Sequence, residues 1–284
     1  MTPAQFAFLT EFLKQRSGIA IGEDKRYLVE ARLAPLARMR GLASLGDLIE
    51  GVRKGLDVDL GDAVIEAMTT NETFFFRDGS PFQALSEVML PKLIAARSAE
   101  RRLRIWSAAC STGQEPYSIA MTLDQHAAAL AGWTIEIVAT DLSAEVIAKA
   151  KAGLFTQFEV QRGLPIRVML ANFTQDGDKW RISEALRRRV HFRTLNLLRD
   201  FSALGRFDVV FCRNVLIYFD VATKRDVLAR TARQTAEDGY LVLGAAESLA
   251  SLGVPYLPVP ARPGLFARVP SAANAPSRFG AAVA

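Results

Sequence analysis

Residues 103–119, LRIWSAACSTGQEPYSI, constrain this chain more than any other stretch. Leu103, Ile105 and Trp106 followed by small residues predict a buried strand, Ser111-Thr112-Gly113 a tight turn, and Glu115-Pro116 the first turn of a helix. A strand, a loop and a helix start in that order are one unit of an open α/β sheet. In such sheets ligands sit where strand gives way to helix, because free N–H groups and the positive end of the helix dipole point there. Ser107, Ala108, Ala109 and Gly113 leave room for a ligand to approach that backbone. A loop shaped only for packing has the same pattern, so the remaining chain must decide.

Downstream the pattern alternates. Helices are predicted over Phe82–Arg97, Glu115–Ala131, Ser143–Ala152 and Val221–Ala236, the last stopped by Gly239. Strands are predicted over Leu103–Ala109, Thr134–Thr140, Val190–Leu195, Phe207–Cys212, Tyr240–Gly244 and Gly264–Val269. Strands apolar on both faces, alternating with helices, mean a mostly parallel, doubly wound sheet, with an antiparallel edge where strands crowd at the end. Residues 153–189 interrupt the rhythm: Asp176-Gly177-Asp178 and then Trp180 and Ile182 predict a hairpin and a short helix inserted over about 173–189, before Val190. Residues 1–70 instead show apolar side chains at helical spacing, punctuated by Gly18, Gly22, Gly41 and Gly55. They predict four short helices in a small bundle, the third capped by Ser44. The expected organisation is an all-α domain over 1–70, a linker over 71–81, a sheet domain over 82–269 and a disordered tail over 270–284.

The linker holds Asn71-Glu72-Thr73-Phe74-Phe75-Phe76-Arg77. Three consecutive phenylalanines cannot face one side of any regular element, so the segment is expected to be wedged between two bodies, fixing Asn71, Thr73 and Arg77 at an interdomain seam. A linker whose rings only glue two domains together is the plainer alternative.

Composition narrows the classes. Half of the 284 residues are hydrophobic and 23% are charged, which suits a folded globular chain. No apolar run approaches the ~20 residues of a membrane span, and the start lacks a secretion signal, so a cytoplasmic protein is expected. Cys110 and Cys212 follow predicted strands and are not expected to form a disulfide. Two cysteines and two histidines, His126 and His191, support no metal cluster. The net charge of +5 calls for an acidic partner, nucleic acid or protein. The run from Lys25 to Arg40, with Arg26, Arg32 and Arg38, is either a solvated helix face or a dock for an acidic helix.

Asp141 ends the second predicted strand, 28 positions after Gly113, where an acidic residue can accept from ribose hydroxyls. A helix cap needs the same residue with no ligand. The loop lacks G-x-G-x-x-G and a Gly-Lys-Ser/Thr ending, so it is neither a dinucleotide fingerprint nor a triphosphate cradle. Glu115 at its mouth would repel a pyrophosphate and attract a cation. A nucleoside with a positive centre and no phosphate fits, as in S-adenosylmethionine. Arg213, Asn214 and Tyr218 follow another central strand, and Asn196 follows a fourth.

These blocks resemble the chemotaxis receptor glutamate O-methyltransferases of the CheR family. The likeness rests on the 71–77 segment, Ser107–Ser118, Ala139–Ser143, Asn196-Leu197-Leu198 and Cys212–Phe219, in that order, behind a small helical domain. It implies a Rossmann-like class I methyltransferase fold with S-adenosylmethionine as cofactor, S-adenosylhomocysteine as product and no metal. It further implies that Asn71, Thr73, Arg77, Glu115, Asp141, Asn196, Leu197, Arg213 and Asn214 line the cofactor pocket, with Arg77 and Tyr218 nearest the transferred methyl. An ionised carboxylate is already nucleophilic, so scarce histidine is no obstacle. The basic helix would meet the acidic methylation region of a receptor. The short Phe173–Leu186 span, without a longer glycine-rich loop, argues against tethering to a receptor-tail peptide. Competing readings are a methyltransferase acting on RNA and a non-catalytic S-adenosylmethionine-binding module.

Overall fold

A computed structural model describes residues 1–55 and 57–269; the expectation for the 270–284 tail lies outside them. The first helices are α1 (Pro3–Ser17), α2 (Arg26–Met39), α3 (Leu45–Lys54) and α4 (Val58–Met68). Thr2 and Gln5 close a capping box at the start of α1, and the Ser44 hydroxyl accepts from the Asp47 N–H at the start of α3. Phe6, Leu9, Leu13, Val29, Leu33, Leu48, Ile49 and Val64 are buried between the helices as a separate core.

The helix expected over Phe82–Arg97 is α5 (Ser80–Ala84) and α6 (Leu90–Ala96), joined through a π turn at Leu85–Met89. Pro91 explains the widening: it has no N–H for the Glu87 carbonyl, and its ring would strike that carbonyl in a regular helix. There follow β1 (Arg102–Ala108), α7 (Gln114–Asp124), β2 (Thr134–Asp141), α8 (Ala144–Ala152), β3 (Leu154–Thr156), α9 (Gln157–Gln161), α10 (Ile166–Asn172), β4 (Phe173–Asp176), β5 (Lys179–Ile182), α11 (Glu184–Arg188) and β6 (Val190–Thr194). The last elements are β7 (Phe207–Cys212), α12 (Val221–Gln234), β8 (Thr235–Val242), β9 (Tyr256–Pro258) and β10 (Leu265–Arg268).

The main sheet runs β6-β2-β1-β7-β8-β10-β9. Strands β6, β2, β1, β7 and β8 are parallel, and β10 is antiparallel to both β8 and β9. The chain steps outward from β1 to one side and then returns to its other side at β7, so a crevice opens at the carboxyl ends of β1 and β7. Side chains alternate between two cores. Ile105, Ile137, Val209 and Phe211 pack on one face, and Trp106, Val138, Val210 and Leu241 on the other. The Trp106 indole N–H is satisfied by the Thr140 hydroxyl at 2.9 Å.

Several elements depart from the sequence reading. Helix α7 stops at Asp124 rather than Ala131, where Gln125, His126 and Ala127 turn to i−3 carbonyls and tighten the chain for its return into β2. Helix α12 ends at Gln234, and β8 starts at Thr235 with an irregular register against β7, so Gly239 lies inside the strand. Strand β9 was not expected. The inserted hairpin is β4–β5, and α11 follows it as foreseen, but β3 also pairs with β5 to make a three-stranded antiparallel sheet of order β3-β5-β4.

Candidate active site

A cleft of about 930 Å³, including its open mouth, lies at the carboxyl ends of β1, β2, β6 and β7, closed on the far side by the ends of α1 and α4. It is lined by all of the expected residues: Asn71, Thr73, Arg77, Glu115, Asp141, Asn196, Leu197, Arg213, Asn214 and Tyr218.

Its floor is an ion network. The Arg213 side chain is 1% exposed; Nη1 donates to Glu115 Oε2 at 2.9 Å, and Nη2 donates to Asp78 Oδ2 at 2.7 Å and to the Arg77 carbonyl at 2.9 Å. Glu115 Oε1 accepts from the Ser107 hydroxyl at 2.8 Å. Burial pushes the Glu115 carboxyl above its usual range, and Arg213 opposes that shift. One donor, the buried Arg213 Nε, has no partner among the described residues. Asp141 accepts from the Ser111 N–H at 2.8 Å through Oδ2 and from the Ser143 N–H at 3.0 Å through Oδ1. Burial raises its pKa, and those N–H groups hold it down. Each oxygen of Asp141 keeps lone-pair capacity for another donor.

The backbone here is strained in a concentrated way. Phe76, Asp78, Ala109, Ser111 and Asn214 have φ of 50°, 68°, 61°, 51° and 58°, a region uncommon for side-chain-bearing residues and least costly for Asn and Asp. For Asn214 the group that holds the backbone is Glu247, which sequence reasoning missed. Its Oε2 accepts from the N–H groups of Asn214 and Gly244, both at 2.8 Å, and its Oε1 from those of Val215 at 3.0 Å and Leu216 at 2.7 Å. Gly244 fits closely here: a Cβ would stand 2.6 Å from Asn214 Nδ2 and 2.9 Å from Glu247 Oε2, so those side chains would have to shift. Glu247 thus fixes the loop leading to Tyr218, which is half-buried.

The three rings of the 71–78 segment pack into the sheet domain and its inserted arm rather than against the helical bundle. Phe75 is fully buried against Phe155 and Phe173, and Phe76 packs edge-on to Phe82. Phe74 instead lies under two guanidinium groups, Arg162 at 4.4 Å and Arg77 at 5.7 Å. The Asn71 carbonyl accepts from the Ser111 hydroxyl at 2.8 Å, and Arg77 Nη1 donates to the Glu72 carbonyl at 2.8 Å.

The outer wall comes from the helical bundle: Ser17 at the end of α1 and Ile19 after it, Thr69 and Thr70 after α4. The Asn196 amide, expected to face a ligand, donates to the Arg16 carbonyl at 2.7 Å, and its Oδ1 accepts from the Leu198 N–H, so its side chain ties sheet to bundle. The Ala20 N–H donates to the Tyr218 carbonyl at 2.9 Å, Lys14 pairs with Asp220 at 2.8 Å, and the Ser143 hydroxyl donates to Glu66. The basic helix α2 is partly spent inside the molecule. Arg32 donates to the Met68 and Thr69 carbonyls and the Thr70 hydroxyl, Arg26 to the Met1 carbonyl, and Arg40 pairs with Asp57. Cys110 and Cys212 are free and buried, with pKa values pushed up by burial. Among the described residues no cluster of His, Cys, Asp or Glu suits a metal, and no helix is long and apolar enough to cross a membrane.

The site suits a cationic nucleoside better than a phosphate. Two buried carboxyl groups face the cleft, the one buried guanidinium is neutralised by Glu115 and Asp78, and Leu142, Leu195 and Leu197 offer apolar surface for a base. Residues 71–257 match the CheR methyltransferase SAM binding domain, and residues 4–69 match the CheR methyltransferase all-alpha domain. The chain is 44% identical to chemotaxis protein methyltransferase 1 of Pseudomonas aeruginosa over 269 residues, covering 93% of this chain and 97% of that protein. It is 42% identical to chemotaxis protein methyltransferase 1 of Vibrio cholerae (89% and 92% covered) and 34% identical to the chemotaxis protein methyltransferase of Escherichia coli (89% and 87% covered). With a strand order that reverses at β1, a cleft at that reversal and family matches over both domains, the chain belongs to the CheR family of S-adenosylmethionine-dependent methyltransferases.

Proposed function

We propose that this enzyme methylates glutamate side chains of chemoreceptors, forming glutamyl methyl esters in chemotactic adaptation. The observation that carries the reading is the cleft that gathers residues from four strand ends and the linker around buried carboxyl groups, in a chain whose curated relatives are chemotaxis methyltransferases.

S-adenosylmethionine, when bound, supplies a methyl group activated by a sulfonium. The residues suited to hold it are Asn71, Thr73, Glu115, Asp141, Leu197, Arg213 and Asn214, with Asn196 acting through its tie to the bundle. Asp141 is placed to accept from hydroxyls, and Glu115 adds negative charge beside a cation. The remaining task is to steer an ionised carboxylate without quenching it. Arg77 is half-exposed at the rim with one guanidinium nitrogen engaged by a carbonyl, and the Tyr218 hydroxyl makes no hydrogen bond among the described residues. Both therefore have donors to spare for an acceptor carboxylate, and neither takes a proton in the transfer. No general base is needed, since a glutamate is ionised at neutral pH.

Two finer expectations belong with this reading. The exposed cations Lys25, just before α2, and Arg38, in its last turn, face an acidic receptor surface at the cytoplasmic side of the membrane. The tight Gly177-Asp178 turn between β4 and β5 leaves no long loop, and no receptor-tail peptide is bound; appreciable heat on titrating such a pentapeptide would overturn that.

The deciding experiment follows radiolabelled methyl from S-adenosylmethionine into membranes containing the cell's chemoreceptors, then applies mild alkali. Label on a receptor band that leaves as methanol is expected. S-adenosylhomocysteine binding without labelled receptor would move the function to another acceptor or to a binding-only role.

A further inference from the structure

The arm between β3 and β4 carries surface that the fold leaves unused. Phe158 on α9 and Ile166 and Leu170 on α10 are 70%, 64% and 64% exposed. Ile166 and Leu170 are spaced i, i+4 and share one stripe of α10, while Met169 on the same helix is buried. Exposed large apolar side chains are unremarkable singly, but grouped on one short arm they mark an interaction surface.

This arm is fastened to the rim of the cleft. Arg162, just after α9, donates to Glu72 Oε1 at 2.6 Å and stacks on Phe74, the ring it shares with Arg77. Gly163 backs onto the linker so closely that a Cβ would fall 1.9 Å from the Phe75 carbonyl oxygen. Glu72 and Arg77 both line the cleft. Arg167, next to Ile166, is exposed and makes no ion pair among the described residues.

We propose that the α9–α10 face seats the glutamate-bearing segment of the receptor, its apolar side chains on Phe158, Ile166 and Leu170 and its acidic ones toward Arg167. The proposal rests on the receptor-methylation reading. A single carboxylate entering the cleft cannot hold a protein substrate, since stable recognition needs a far larger buried surface. The segment carrying methyl-accepting glutamates bears carboxylates and must cross the rim to insert one of them. The arm that carries this apolar surface and unpaired cation is anchored to that rim through Arg162 and Gly163.

The test uses the full chain with Phe158→Ser, Ile166→Ser and Leu170→Ser combined, and separately Arg167→Glu, assayed on a purified chemoreceptor cytoplasmic domain. Because these side chains are exposed, folding is expected to survive, and unchanged S-adenosylhomocysteine affinity by calorimetry verifies it. The triple variant should raise KM for the receptor at least tenfold with kcat near that of the parent. Arg167→Glu should raise KM several-fold, more at low salt than at high. A triple variant with KM within twofold of an active parent overturns the docking face alone. A parent chain that binds S-adenosylhomocysteine but labels no receptor overturns the receptor reading, and the docking face with it.

Discussion

The two walls of the cleft are built on different principles. On the sheet side, Arg213, Glu115 and Asp141 are buried, each held by several hydrogen bonds, with Ser111 and Asn214 locked at positive φ. On the bundle side the wall depends on a few ties, the Lys14–Asp220 pair, the Asn196 amide on Arg16, Ala20 on Tyr218 and Ser143 on Glu66, and Lys14 is 47% exposed. One wall is preorganised at a cost in buried charge, and the other is adjustable at little cost. Such a contrast suits a site that binds a cofactor deeply and then admits a macromolecule at the rim.

The sharpest way to break the contrast is Arg213→Met. Losing the guanidinium leaves Glu115 buried with only the Ser107 hydroxyl as donor, which should cost about 3–5 kcal/mol by denaturant unfolding and abolish cofactor binding. The pH dependence should be diagnostic. The Glu115 carboxyl already titrates above its unfolded value because of burial, and without Arg213 it rises further. A carboxyl raised on folding destabilises most when ionised, so the gap between variant and parent should narrow as pH falls from 8 toward 5. A gap that stays constant would mean Glu115 is not the group left exposed to the change.

Asp141→Asn should act on binding more than on stability. The carboxamide can still accept from one of the Ser111 and Ser143 N–H groups but turns its own donors on the other. S-adenosylmethionine affinity by calorimetry should fall about 10- to 100-fold, matching ~1.5–3 kcal/mol for bonds to a charged group. In the parent, affinity should weaken as pH drops into the raised titration range of Glu115 and Asp141. With Asp141 replaced, that acid limb should be shallower.

The two walls were also unequally legible in the sequence. The sheet wall declared itself because its signals are local: apolar strands, the Ser111–Gly113 turn, and polar residues just past Thr140 and Cys212. The several-sided packing of Phe74, Phe75 and Phe76 was readable because no regular element can hide three consecutive rings. Glu247 was not readable, since nothing near it shows that its carboxylate gathers N–H groups from a loop about thirty residues earlier. Asn196 lines the cleft, but its amide serves the bundle, a fact set by how two domains meet. The charge run of α2 misled for the same reason: Arg32 looks solvated in sequence, and its partners at Met68, Thr69 and Thr70 lie a whole helix pair away.

Lys14→Ala probes the bundle wall and should give the smallest effect on stability. Lys14 holds the Asp220 carboxyl well below the usual carboxylate range, and Asp220 in turn raises the Lys14 pKa. The carboxyl's contribution is present above its unfolded value near 4 and is lost as pH falls through its depressed folded value. The lysine's contribution is present below about 10.4 and is lost as pH rises through its elevated folded value. The pair therefore persists across the physiological range, yet solvent screens it, so its loss should leave the unfolding midpoint almost unmoved. The effect should appear in function: with the tie gone, the segment carrying Ser17 and Ile19 is freer, and KM for the receptor should rise about two- to threefold while S-adenosylhomocysteine affinity holds. Receptor KM and cofactor affinity changing together would show that the two walls work as one rigid pocket.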